Sequence, residues 1–345
     1  MVLKNAVSSL EGHPRYSDII DSYFMRLGKI TDDPLANKYS SVLSSINQLW
    51  VDSEKNPSIF KQTKDFEPIL QKNKYYRDHF IHSFNVFLLG YYIINKMREV
   101  FPDEDHFGKN DDNINLTWML TSTFHDVAYP IQETESWLNG LFEKFLGVKP
   151  SFPINIGQIL PIIYIDFMRL LSKYHARTAR GVLENDEFLT IDWHFYNELG
   201  SELTKKNHGV IGALMLCHRM AIREGFLKRH VDRNDERNPW NFLKNHMPAC
   251  HAISVHALES IRVPFKKFPF AYLLILCDEL QDWGRPSKKA NKDTIKLREV
   301  TICGEDIPEI RVGISCSSMR KDRLDKVIDK RLYNGNVINL TIEKV

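Results

Sequence analysis

Asp278 is an acidic residue that follows an unbroken run of apolar and cysteine residues in the stretch AYLLILCDELQ. The apolar run predicts a buried helix, and the acid stands where that helix is still expected to lie inside the protein. Burying an ionised carboxylate is costly unless it is paired or coordinates a metal ion. The chain must therefore fold so that a cation or a hydrogen-bond donor reaches Asp278.

Two histidine-containing stretches supply candidate partners for a metal ion. YYRDHFIHSFNVFLLG places His79 and His82 three residues apart on one helix face, and STFHDVAYP places His125 beside Asp126 at the end of an apolar segment. Adjacent side chains on a helix point in different directions, but at a helix end both can turn toward one ion. The alternative for His125 is a helix C-terminal residue stabilised by the helix dipole.

Further histidines occur in KKNHGVIGALML and ACHAISVHALES. His208 is predicted to begin a helix. His251 and His256 are five residues apart, so they are expected to point to different sides of their helix, and at most one should face a common site. His256, which shares a helix face with Ala249, Ala252 and Ile253, is the preferred candidate. The alternative is that His208 is a helix-start residue and His256 a core histidine. The remaining histidines are interpreted as surface or structural residues: His13, His106, His175, His194, His218, His230 and His246.

The periodicity of apolar residues predicts a mainly α protein. Helices are expected over FIHSFNVFLLGYYIINKMREVF, over LTWMLTSTFHD with Asn115 or Thr117 as its N-cap, over QETESWLNGLFEKFLG closed by Gly147, and from about 248 to 261. Pro130 is interpreted as a helix stop. Beyond Pro286 the segments TIKLREVTIC, EIRVGISCS and VINLTIEKV alternate as strands do, around the basic helix MRKDRLDKVIDKRLY.

These patterns predict three parts: an N-terminal helical segment packed on the core (1–70), a metal-binding helical domain (71–286) and a small C-terminal α/β element (287–345). The 345-residue chain has a net charge of +2, which does not favour wrapping a long polyanion. Its five cysteines form no CxxC pair, and its apolar runs are too short or interrupted to cross a bilayer. The expectation is a soluble cytoplasmic protein that makes no membrane contact.

The order of His82, His125-Asp126 and Asp278 resembles the H, HD, D pattern that names the HD superfamily of metal-dependent phosphohydrolases. HDVAYP is similar to the HD step of that family, and the resemblance spans roughly residues 75 to 286. It implies an HD-type helical bundle whose central helices direct these side chains at one divalent ion. Binuclear members add histidines between the HD pair and the last aspartate, and the segments around His208 and His256 resemble those.

This resemblance implies one or two divalent ions, with Mn, Fe, Co, Ni or Zn suited to mixed imidazole and carboxylate ligands and Mg possible. Asp126 is expected to bridge two ions, His79 to face the substrate or act in acid–base catalysis, and Arg77, beside the motif, to bind phosphate. The implied metal ligands are His82, His125, Asp126, His208, His256 and Asp278.

The function implied is hydrolysis of a phosphate ester of a nucleotide or nucleotide-like small molecule, by attack of metal-bound water. Two alternatives stay open: an HD-like di-iron oxygenase, and a non-catalytic nucleotide sensor that signals through the C-terminal sheet. Nucleic acid is the less favoured partner for the basic segment from Arg285 to Arg331, which is expected to be a solvated helix face. The C-terminal sheet is a candidate surface for a homo-oligomer.

Overall fold

The computed structural model describes residues 79–102, 106–108, 111–147, 164–180, 191–223, 239–281 and 295–344. These residues form a mainly α protein with a small sheet. The elements are α1 (His79–Val100), α2 (Asp111–Phe124), α3 (Tyr129–Leu146), α4 (Tyr164–Arg180), α5 (Trp193–Thr204), α6 (His208–Arg223), α7 (Pro239–His256), β1 (Val263–Pro264), α8 (Pro269–Leu280), β2 (Lys296–Cys303), β3 (Glu309–Ser315), α9 (Ser318–Arg331), β4 (Leu332–Tyr333) and β5 (Asn339–Lys344).

The described residues divide into two compact units. The first contains those of 1–105, 276–328 and 336–345, and the second those of 106–275 and 329–335. The predicted N-terminal segment 1–70 lies outside the described residues, and the predicted boundaries at 71 and 287 stay predictions. Among the helices described, none is long and apolar enough to cross a membrane.

The first unit combines α1 with a three-stranded sheet of order β2-β3-β5. Val86, Leu89, Ile93 and Met97 are buried, and their three- and four-residue spacing gives α1 its apolar face. In the sheet, β3 pairs antiparallel with β2 and parallel with β5. The hydroxyl of Tyr92 donates a hydrogen bond to the carbonyl oxygen of Val300, 3.1 Å away, which joins α1 to β2.

The C-terminal strands and helix confirm the predicted α/β element. Ile310, Val312 and Ile314 are buried whereas Arg311 between them is exposed, as expected for a strand with one covered face. The turn between β2 and β3 depends on Gly304, which has a φ of 114°, and a Cβ there would lie 2.1 Å from the carbonyl oxygen of Ile307. A side chain at position 304 is therefore excluded by strain and by contact.

The second unit is built from α2 to α7, the first part of α8, and a parallel pairing of β1 with β4. That pairing joins Val263 to Leu332 and was not predicted, because two-residue strands carry no periodicity. Trp118, Phe167, Phe195 and Phe265 are among the largest fully buried side chains of this unit.

Three predicted helix boundaries are wrong. α2 begins at Asp111, so Asn115 and Thr117 lie inside it and are not N-caps. Pro130 lies in the first turn of α3 and starts that helix instead of stopping it, because the amide that proline lacks has no partner in a first turn. α7 begins at Pro239, not near residue 248, and contains Pro248. Gly147 does close α3, with φ 66° and its N–H bonded to the carbonyl oxygen of Glu143.

Candidate metal centre

Asp126, His208 and His256 form a group whose potential ligand atoms all lie within 4.8 Å of one another. The Nε2 atom of His208 is 3.5 Å from Oδ1 of Asp126, and the rings of His208 and His256 are 5.2 Å apart, edge to face. Asp126 and His256 are buried, and His208 is partly buried. We call these three residues the Asp126 group.

Each member of the Asp126 group stands at a helix end. Asp126 lies in the short turn between α2 and α3, His208 is the first residue of α6, and His256 is the last residue of α7. The side chain of a terminal residue is less restricted by neighbouring turns than one in the middle of a helix, which suits residues that must meet at one point. The sequence indicates the ends at Asp126 and His208, but the end of α7 at His256 was missed.

Two glycines let α6 approach its neighbours closely. A Cβ at Gly209 would lie 2.7 Å from the carbonyl oxygen of Ile253 and 2.9 Å from Cε1 of His256. A Cβ at Gly212 would lie 2.5 Å from the carbonyl oxygen of Phe124. Real Cβ atoms do not come this close, so the approach of α6 to α7 requires glycine at position 209, and its approach to the end of α2 requires glycine at position 212.

Asn207 joins the ends of three helices around the Asp126 group. Its Nδ2 donates to Oε2 of Glu202 on α5 at 2.9 Å and to the carbonyl oxygen of Ala257, just after α7, at 3.1 Å. Its Oδ1 accepts from the N–H groups of Gly209 and Val210 in the first turn of α6. Asn207 is therefore the N-cap of α6 and also links that helix to the end of α7.

Two histidines near Asp126, namely His125 and His256, donate a hydrogen bond from Nδ1 to a backbone carbonyl oxygen. Nδ1 of His125 donates to the carbonyl oxygen of Ser122 at 2.7 Å, and Nδ1 of His256 donates to that of Ile253. A carbonyl oxygen only accepts, so in each neutral ring the proton is on Nδ1 and the lone pair is on Nε2. Bonding of the second ring nitrogen to an oxygen is typical of metal-ligating histidines.

His125 lies next to the Asp126 group and is fully buried. Its Nε2 is 3.7 Å from Oδ2 of Asp126, and its ring centroid is 5.3 Å from that of His256. The predicted ligands of the second unit, namely His125, Asp126, His208 and His256, are thus neighbours in the fold.

In the first unit, His82 and Asp278 form a pair. Nε2 of His82 is 2.8 Å from Oδ1 of Asp278, and Nδ1 of His82 faces the side-chain oxygen of Gln281. The acid that the apolar run predicted to be buried is only partly buried, because its side chain at the polar end of α8 is 32% exposed. It does have an imidazole partner in His82, which is 1% exposed. That these two residues share an ion with His125 and Asp126 stays a prediction from the sequence, because His82 and Asp278 belong to the other unit.

His79 and Arg77 are the two other residues that the sequence predicted to act in catalysis. His79 is the first residue of α1 and is partly exposed, and its carbonyl oxygen accepts a hydrogen bond from the hydroxyl of Ser83 at 2.9 Å. Arg77 lies outside the described residues. Their proposed roles with the substrate stay predictions.

His251, as expected, points away from His256. Its Nε2 is 2.9 Å from Nδ1 of His175, and the ring of His175 stacks on Phe195 and Phe268 with centroids 4.1 and 5.0 Å away. Burial lowers the pKa of His175 to about 4 and holds the pKa of His251 well below its ordinary value. Both rings are therefore neutral at pH 7 and belong to the core.

Sequence reasoning missed two glutamines that contact candidate ligands. Gln132 on α3 accepts hydrogen bonds from His208, and Gln281 lies against His82. Gln281 follows Asp278 by one helical turn, a spacing that the sequence displays. Gln132 is 76 positions from its partner, so no local pattern could have revealed it.

The residues of the Asp126 group fit a divalent transition metal. One carboxylate and two imidazoles without thiolate suit Mn, Fe, Co, Ni or Zn better than Mg, which prefers oxygen ligands. Ligand atoms held about 2.1 Å from one ion are at most about 4.2 Å apart, close to the spacing here.

Comparison of the chain with models of protein families, with curated proteins and with solved structures finds no match.

Proposed function

We propose that the protein is a metal-dependent hydrolase that cleaves a phosphate ester of a nucleotide or nucleotide-like substrate. The observation that carries this proposal is the meeting of Asp126, His208 and His256 at three helix ends. His82 and Asp278 support it as a second imidazole–carboxylate pair in the order that the HD resemblance requires. The fold alone does not select a chemistry, so the proposed function rests on these side chains.

In this proposal, Asp126, His208 and His256 hold a divalent ion, and His125, His82 and Asp278 are the further ligands that the resemblance implies. A divalent ion with open coordination positions lowers the pKa of water toward neutrality and polarises a phosphoryl oxygen. His79 is the proposed donor of a proton to the departing oxygen, and Arg77 the proposed partner of a phosphate oxygen.

The charge of the Asp126 group favours an anionic substrate. Its ligands carry one negative charge, from Asp126, because the Nδ1–H form of His256 is neutral and a ligating His208 is neutral as well. One divalent ion would leave these three residues with a net charge of about +1, and a second ion together with Asp278 would bring the net charge to about +2. A phosphate ester brings the negative charge that this group lacks. In a buried site that attraction is screened less than at the surface.

The experiment that tests this function combines metal analysis with an activity screen. Purified wild-type protein, Asp126→Ala and His256→Ala are analysed for bound metal and assayed against nucleotide phosphomonoesters and phosphodiesters with each candidate ion. His194→Ala is the matched control, since His194 is exposed on α5. We expect metal uptake and phosphate-ester hydrolysis in the wild type and the control, and loss of both in the two site variants.

Each alternative function has a distinct outcome in this experiment. Iron content with an oxygen-dependent product and no hydrolysis would favour the di-iron oxygenase. Tight nucleotide binding without turnover in any metal would favour the sensor. A wild-type protein that takes up no metal would overturn the proposal.

A further inference from the structure

Gln132 makes two contacts with one residue, His208. Its Oε1 atom is 3.2 Å from the backbone nitrogen of His208 and 3.1 Å from the ring nitrogen Nδ1. The backbone contact crosses from α3 to the first residue of α6, whose N–H has no acceptor within its own helix. One side-chain oxygen therefore contacts both the main chain and the ring of a candidate metal ligand.

The backbone contact decides how the Gln132 amide is oriented. A backbone N–H can only donate, so the Gln132 atom facing it must be the oxygen, not the NH₂ group. The same oxygen faces Nδ1 of His208, so Nδ1 must carry a proton. The neutral ring then has its lone pair on Nε2, the atom 3.5 Å from Oδ1 of Asp126.

We propose that Gln132 is a positioning residue of the Asp126 group, which fixes the orientation and tautomer of His208 so that Nε2 faces the metal position. This inference rests on the proposed metal site and adds a residue to it. His125 and His256 have their Nδ1 protons held by backbone carbonyls of their own helical segments, whereas Nδ1 of His208, the first residue of α6, faces the side-chain oxygen of Gln132. Gln132 thus supplies an acceptor for the His208 ring from another helix.

The neighbouring geometry gives His208 little freedom apart from this contact. Gly209 packs against Ile253 and His256 with no room for a Cβ, and the ring of Tyr129 lies edge to face with that of His208 at 5.4 Å between centroids. Loss of the Gln132 oxygen would therefore leave the His208 ring near its place. The ring proton would no longer be held on Nδ1 and could move to Nε2. The defect expected is one of ligand tautomer and affinity, not of folding.

The test compares three substitutions on α3. Gln132→Leu removes the acceptor, Gln132→Glu keeps an oxygen at the same distance along the chain, and Glu143→Leu makes a similar polar-to-leucine change at an exposed position. Co²⁺ affinity is measured by titration of the visible absorbance. The His208 tautomer is measured in the metal-free protein by ¹H–¹⁵N correlation of the imidazole nitrogens, with thermal unfolding as the check of folding.

We expect Gln132→Leu to bind Co²⁺ about 10- to 100-fold more weakly than the wild type and to lose the fixed Nδ1–H signal of His208. Gln132→Glu should retain that signal and most of the affinity, and Glu143→Leu should match the wild type. Unchanged Co²⁺ affinity and an unchanged tautomer in Gln132→Leu would overturn the positioning role while leaving the metal site standing. A wild-type protein that binds no Co²⁺ would overturn both proposals.

Discussion

The backbone of Gly212 lies so close to Phe124 that a Cβ atom at position 212 would stand 2.5 Å from the Phe124 carbonyl oxygen. Gly212→Ala must therefore move α6 away from the end of α2, and with it His208 away from Asp126. We expect the free energy of unfolding to fall by about 1–3 kcal/mol, as for other overpacked interiors, together with weaker metal binding. Urea unfolding and metal titration measure the two effects.

Gly200→Ala is the matched control for this substitution. Gly200 lies inside α5, and a Cβ there would meet nothing within 4 Å. Alanine is the better helix former, so this variant should be more stable than the wild type by about 0.5–1 kcal/mol. If Gly212→Ala behaved like Gly200→Ala, the close approach of α6 to α2 would not be a requirement of the fold.

Arg331 is a buried arginine that caps α7. Its guanidinium donates hydrogen bonds to the carbonyl oxygens of Val255 and His256 at 2.9 and 3.1 Å, and to that of Ile261 at 3.3 Å. Replacement by methionine would leave these carbonyls without that donor and remove a positive charge from the C-terminal end of the helix dipole. We expect Arg331→Met to lower the free energy of unfolding by roughly 2–3 kcal/mol in urea unfolding.

The position of Arg331 also bears on the metal site, since it holds the main chain of His256. Arg331→Met should therefore weaken metal binding as well as the fold. Arg323→Met, at an exposed position on the same helix, is the control and should change neither. Loss of stability of similar size in both variants would contradict the capping role.

The His175–His251 pair predicts a loss of stability in acid. In the unfolded chain a histidine has a pKa near 6.5, whereas burial lowers the pKa of His175 to about 4 and holds the pKa of His251 well below its ordinary value. The unfolded state then binds more protons between these values, so stability is fully present above pH 6.5 and is lost as the pH falls toward 4. His175 alone should contribute a loss of about 2 kcal/mol between pH 7 and pH 5.

This dependence is checked by urea unfolding at pH 5, 6 and 7. His175→Gln removes one titrating ring while keeping a polar partner for His251, so its stability should fall less over this range. Asp192 and His194 also influence the pKa of His175, one raising it and the other lowering it. Arg169→Gln, an exposed substitution on the same helix as His175, serves as the control and should retain the dependence of the wild type.

The cysteines should differ in their reactivity. Cys217, Cys250 and Cys277 are buried, and burial raises the pKa of the Cys217 thiol to about 12 and the pKa of the other two well above the ordinary value. Because the thiolate is the nucleophile, iodoacetamide at pH 8 should label Cys303 and Cys316 first. Mass spectrometry of the digested protein measures this order, and labelling of all five in urea shows that each can react once unfolded.

Much of the fold follows from local patterns in the chain. The apolar spacing in α1, the start of α6 at His208, the glycine that ends α3 and the alternation in β2 and β3 are all local, and each was predicted. The errors occur where two local signals compete. Pro130 and Pro248 were each interpreted as a helix boundary, yet a proline is also accepted in a first turn, and inside a helix that packing stabilises.

The candidate site was also predictable only in part. Its residues were identified from burial cost and order: an acid that should not be buried alone, and histidines placed at or near helix ends. Their mutual distances could not come from spacing, because His208 and Asp126 meet only through the packing of α6 against α2 and α7. Gln132 and Arg331 escaped notice because each acts on a residue that is distant in the sequence.

Asn207 links the ends of α5, α6 and α7 through a single amide, and that linkage bears on how such a protein can change over evolutionary time. Substitutions in outlying segments can accumulate without altering the distance between His208 and His256, because that distance is set within a few residues of both. Related chains would then diverge widely in overall sequence while an asparagine directly before the histidine persists. A search for distant homologues should therefore give this short local signature more weight than overall identity.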